Sequence, residues 1–137
     1  MLSVNETRVA HLLADDEVGV LWKSGVDDLA KYRIVEHLWR EPHTAGDAAY
    51  FARRLGFHSL ERTQVSLDEL VESGLIVRRD CDGARFYGLA TGEVVRRNLG
   101  GVLDRLSPEP EVYGWLFQRL AARSLNKARR PLRRRRA

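Results

Sequence analysis

Bases gather in two places along the chain where their spacing could hold an anion. Arg53, Arg54, His58 and Arg62 lie close together, and Arg78, Arg79 and Arg85 flank the dipeptide Asp82-Gly83. A guanidinium presents a planar fork of N–H donors that matches phosphate or carboxylate oxygens, so such clusters suit a polyanion. The plainer alternative is that these arginines are the solvated side of amphipathic helices, where exposed charges contribute little. Glu61 stands against an anion site if it faces the ligand, although an acid in a helix's first turn is also favoured by the helix dipole.

Other chemistry finds less support. His37 and His43 are six positions apart across a helix end, which is not the spacing of a strong metal site, and the single cysteine, Cys81, excludes both a disulfide framework and a multi-cysteine cluster. Cys81 sits between Asp80 and Asp82 with no neighbouring cation to activate the thiol. No metal and no cofactor is expected. There is no phosphate-cradling glycine loop, no HExxH and no Gly-x-Ser-x-Gly, so no enzymatic activity is expected either.

The 137 residues, 44% hydrophobic and 31% charged, suffice for one real core. The net charge of +4 misleads. Residues 126–137, "NKARRPLRRRRA", hold seven bases and no acids, and removing those seven charges leaves residues 1–125 at −3. A mildly acidic body thus carries a basic tail, and the placement of each arginine says more than the total. No apolar run approaches the ~20 residues of a membrane-spanning helix, and the N-terminus lacks the pattern of a secretory signal. A soluble, cytoplasmic and nucleoid-associated protein with no membrane partner is expected.

The elements that would position these side chains follow from periodicity. Residues 6–14 suit a short amphipathic helix with Val9, Leu12 and Leu13 on one side, and "EVGVLW" alternates as a strand does over too few residues to assign. Asp27 or Asp28 can cap a helix carrying Leu29, Tyr32, Val35, Leu38 and Trp39, which Pro42 ends. "TAGDAAYFARRLGF" offers Thr44 as a cap with Asp47 three residues on, an alanine face and Gly56 as a stop. Ser59 can cap a third helix with Leu60, Thr63, Leu67, Leu70 and Val71 inward, ending at Gly74. "LIVRR" and "ARFYGL" then read as a two-stranded hairpin turning at Asp82-Gly83. Thr91 would start a helix through Leu106 that Gly100-Gly101 weakens by ~1 kcal/mol per glycine. "SPEPE" breaks it, and a last helix spans roughly 110–128.

Helix, helix, tight turn, helix, hairpin is the order of a winged helix-turn-helix. From Asp27 to about Leu106 the chain resembles the core of bacterial and archaeal transcription regulators of the ArsR and MarR kind. The resemblance rests on the alanine-bearing helix "TAGDAAYFARRLGF", on "SGLI" leading into the hairpin, and on the aromatic return strand "RFYGL". It implies a mostly α protein with a small β-hairpin (α+β class), a winged helix-turn-helix core with helical extensions at both ends, and double-stranded DNA as partner. A helix fits the major groove, and an arginine-edged hairpin can touch adjacent phosphates or the minor groove. Under this resemblance His58, Ser59, Arg62, Gln64 and Val65, on a recognition helix of about 59–73, approach the bases. Arg53 and Arg54 hold phosphates, and Arg78, Arg79 and Arg85 belong to a wing of about 75–89. Strand neighbours point to opposite faces, so Arg85 and only one of Arg78 and Arg79 are expected to face the same groove.

The last helix carries Val112, Tyr113, Trp115, Leu116, Phe117 and Leu120, an apolar arc too wide for a lone surface helix. The resemblance implies a homodimer, with Val112, Trp115, Leu116, Phe117 and Leu120 at its interface; folding back onto the chain's own core is the alternative. The expected division is an N-terminal extension (1–26), a DNA-binding domain (27–106), a dimerisation helix (107–128) and a disordered basic tail (129–137) that attracts anions without reading sequence. The expected function is a dimeric, sequence-specific repressor. The competing expectation is a winged-helix protein-interaction module whose basic tail alone contacts nucleic acid.

Overall fold

Three of the helices begin where a side-chain oxygen satisfies an N–H that has no partner within the helix. The structure is a computed structural model that describes residues 15–90, 96–105 and 111–122. In chain order it contains α1 (Asp15–Lys23), α2 (Leu29–Arg40), β1 (Ala45–Gly46), α3 (Ala48–Leu55), α4 (Leu60–Glu72), β2 (Ile76–Cys81) and β3 (Ala84–Leu89). A π-helical turn (Arg96–Gly100) then runs into α5 (Gly101–Arg105), and α6 covers 111–122. The protein is mostly helical with a small antiparallel sheet of order β1-β3-β2.

Asp28 caps α2 by accepting from the Lys31 N–H at 2.8 Å. Asp47, not Thr44, caps α3, accepting from the Tyr50 N–H at 2.8 Å. Thr44 is displaced from that role because Ala45 and Gly46 pair with Gly88 and Tyr87 as a third strand. The expected two-stranded hairpin is therefore part of a three-stranded sheet. At its turn Asp82 and Gly83 both have positive φ, 51° and 81°, the geometry of a type I′ hairpin whose twist matches its strands.

One core gathers Tyr32, Ile34, Val35 and Leu38 of α2, Phe51 of α3, Leu67 and Leu70 of α4, and Tyr87 of β3. Two ends of the chain join it. "EVGVLW" belongs to α1, whose Val18 and Leu21 are buried in the common core together with Val26. Gly25, at φ 110°, makes that approach feasible, because a Cβ there would lie 2.5 Å from the Ser73 Cβ.

The helix α6 folds onto its own chain. Val112, Leu116 and Leu120 are buried in the same core, and each such burial contributes ~1.5–3 kcal/mol. The Tyr113 hydroxyl donates to Glu36, which also accepts from Tyr32 at 3.2 Å. Burial first, and then the Glu36 carboxylate, push the Tyr113 phenol up to about 12 and raise Tyr32 far above its usual value. Arg33 lies 5.5 Å from the ring centroids of both Tyr113 and Phe57, tying α6 to the turn between α3 and α4. Of the five residues expected at a dimer interface, Val112, Leu116 and Leu120 are thus covered by their own subunit, Trp115 is half-buried and Phe117 is 55% exposed. The expected helix at 6–14, the start at Thr91, the break at "SPEPE" and the basic tail lie outside the described residues. No helix among the described residues is long and apolar enough to cross a membrane.

Candidate nucleic-acid interface

The tight turn between α3 and α4 depends on Gly56, whose left-handed φ of 73° ends α3 while its N–H donates to the Ala52 carbonyl. Ser59 then caps α4, accepting from the Arg62 N–H at 3.1 Å. The Ser59 hydroxyl oxygen thus serves the helix start as an acceptor, and its side chain is half-exposed. At 100° per residue, α4 turns Thr63, Ser66, Leu67 and Leu70 inward and exposes Glu61, Arg62, Val65, Glu69 and Glu72. Val65 is 52% exposed at the middle of that outer arc.

Leu60, expected inward, is 55% exposed instead. As the first residue of α4 it precedes the turn at which the helix meets the core, so its period matches Leu67 while its height does not. That places an apolar side chain beside His58 and Arg62.

Gln64 is withdrawn from the outer surface. Its Nε2 donates to the Tyr87 hydroxyl and, at 3.2 Å, to Asp68 Oδ1, while Tyr87 donates to the same Asp68 oxygen at 2.7 Å. Burial, reinforced by Asp68, raises the Tyr87 phenol above its usual value, so it stays a neutral donor. This three-residue network fastens β3 to α4. Gln64 therefore holds the hairpin to α4.

The register of the hairpin sorts its arginines. Arg78 pairs with Tyr87, and Asp80 pairs with Arg85; directly opposed residues share a face. Arg78 and Arg85 therefore share the Tyr87 face, which looks toward α4, and Arg79 shares the opposite face with Phe86. Arg78 lies 3.6 Å from Asp80. Among the described residues Arg53, Arg54, Arg62, Arg79 and Arg85 enter no ion pair, and all are exposed.

No family model, curated protein or solved structure matches the chain. The remaining ionisable groups have internal duties. Lys31 is buried, its Nζ 2.7 Å from Asp27 and 2.6 Å from Glu69. Burial would lower its pKa, but the two carboxylates outweigh burial and raise it. This pairing partly offsets the charge of Glu69, one of the acids on α4's outer face. His37 meets the Tyr50 hydroxyl at 2.9 Å and Glu41 at 3.5 Å, with its ring edge-on to Phe51. Among the described residues no group of three His, Cys, Asp or Glu could hold a metal ion. Cys81 is free and exposed near the hairpin tip.

Proposed function

We propose that the chain is a sequence-specific regulator of transcription that binds double-stranded DNA through a winged helix-turn-helix and represses by occluding a promoter. One observation carries this: exposed bases stand at both edges of the α4–hairpin unit, Arg53, Arg54, His58 and Arg62 on one side and Arg85 with Arg78, the latter 3.6 Å from Asp80, on the other. In this role the first turn and a half of α4 enters the major groove. Arg62 and His58 meet base edges, and Leu60 and Val65 offer apolar contact to a thymine methyl. Arg53 and Arg54 hold phosphates, and Arg78 and Arg85 reach the flanking backbone. Ser59 and Gln64 serve the scaffold, and Arg79 faces away. The resemblance to ArsR- and MarR-type cores supports the same function. The proposal includes a two-fold homodimer that uses Phe117 and the exposed side of α6, and an operator with matching symmetry.

One observation favours a second function. The outer arc of α4 carries Glu61 and Glu72 around Val65, a surface suited to a basic protein rather than a polyanion. In that case the hairpin unit is a protein-docking module and the tail alone touches nucleic acid. Selection from random duplexes by gel shift separates the two. The full chain should recover a defined inverted repeat, and Arg62→Glu with Arg85→Glu should lower its affinity by at least roughly a hundred-fold, each lost charged contact being worth ~1.5–3 kcal/mol. Loss of binding on truncation after Leu125, with the double variant unaffected, would overturn the DNA-reading proposal.

A further inference from the structure

A cleft of 520 Å³ opens away from the α3–α4 turn, lined by Trp39, Pro42, Leu89, Gly100, Gly101 and Asp104. Its volume falls within the ~300–1,000 Å³ common to small-molecule sites. Three chain ends meet there: the last turn of α2, the last residue of β3, and the junction between the π-helical turn and α5. π-helical turns are rare and recur at functional sites.

The two glycines have different reasons to be glycine. A Cβ at Gly100 would come within 3.2 Å of the Trp39 ring, so close packing requires it small. A Cβ at Gly101 would meet nothing within 4 Å. Among the described residues no packing demands a glycine at 101, and it costs the helix ~1 kcal/mol. What it does is leave one wall of the cleft as bare backbone. Gly100, Gly101 and Asp104 share one face of the helix by their spacing, so the carboxylate stands over that same opening.

The chemistry of the lining selects the ligand. The Trp39 Nε1 donates to Asp104 Oδ1 at 2.8 Å, which orients the carboxylate beside the indole ring. Among the described residues Asp104 enters no ion pair. An anion would meet this carboxylate unfavourably, and a wholly apolar molecule would strip its water without replacement. A cation gains from both the carboxylate and the indole face, and the −3 charge of residues 1–125 favours its approach. Pro42 and Leu89 supply apolar surface. We propose that this cleft binds a small organic cation, an alkyl- or arylammonium whose charged head lies between Asp104 and Trp39 and whose apolar body rests on Pro42 and Leu89. This site is independent of the DNA-binding proposal.

The test follows the Trp39 indole N–H resonance in the ¹⁵N-labelled full chain, assigned with Trp39→Phe, while benzylammonium is titrated against its neutral counterpart benzyl alcohol. Benzylammonium should shift the resonance saturably, with benzyl alcohol about ten-fold weaker or worse. Asp104→Asn, which keeps an acceptor for Trp39, should weaken benzylammonium by about ten-fold. Gly101→Leu should abolish the shift by filling the cleft while its thermal melt stays at or above that of the parent. Equal affinities for the two compounds, or unchanged affinity in both variants, would overturn the proposal. So would binding that emerges only after the six arginines of residues 129–136 are changed to serine, because the cleft would then belong to the chain's own guanidinium groups.

Discussion

Tyr87 holds the hairpin to α4 through one hydroxyl, and that hydroxyl has a charged acceptor. Its ring fills the core while its oxygen meets Asp68 and Gln64. Tyr87→Phe keeps the ring and strands both partners, which should cost about 1–3 kcal/mol of stability. Urea unfolding checks this; an unchanged midpoint would mean that the network contributes nothing. The same residue draws Gln64 into the polar network of the hairpin. Its place on the helix is compatible with the outer surface, and only the arrival of a strand tyrosine from 23 positions away draws it inward. Arg78 and Arg79 were separable in principle by strand alternation, but which of them shares a face with Tyr87 depended on the register at the Asp82-Gly83 turn.

At the scale of elements, α6 is the informative one. Its wide apolar arc announced a buried helix, and the arc alone leaves open whether a second subunit or the same chain covers it. Glu36 decides the matter for the inner side: a carboxylate buried in α2 needs donors, and Tyr113 supplies one. Leu116→Ala should therefore cost about 2–5 kcal/mol in the isolated subunit, whereas Phe117→Ala should stay within about 0.5 kcal/mol because that ring is exposed. Thermal melts at a concentration low enough to keep the chain monomeric would distinguish them. Equal losses would show that α6 is not docked as described. The exposed Phe117 is also where a dimer can be probed, since Phe117→Asp should lower any self-association seen by sedimentation.

For the whole molecule, burial of tyrosines makes stability sensitive to alkali. The folded protein holds the Tyr113 proton more tightly than the unfolded chain, whose phenol titrates near its ordinary value of 10.0. Its contribution is present in full below that value and is lost as pH rises from there toward about 12. Lys31 acts in the same direction, its raised pKa making deprotonation costlier in the folded state. Melts at about pH 8 and about pH 11 should show a clear loss at the higher value, partly relieved in Tyr113→Phe. A pH-independent melting temperature over that interval would contradict the buried Glu36–Tyr113 contact.

Local features were legible because they depend on near neighbours. The caps at Asp28 and Ser59, the stops at Gly56 and Gly74 and the Asp82-Gly83 turn are set by steric and hydrogen-bonding preferences acting over a few residues. The α+β composition and the inward stripe of α4 follow from periodicity in the same way. What lay beyond the sequence was every choice made between distant segments. Ala45-Gly46 became a strand only because β3 offered an unpaired edge. "EVGVLW" became a helix with Val18 and Leu21 in the common core. Leu116 found its cover in the core of the same chain, and Trp39 met Asp104 across 65 positions. Such pairings are selected by the free energy of filling one shared core and satisfying its buried polar groups, a quantity that belongs to the folded whole and to no segment by itself.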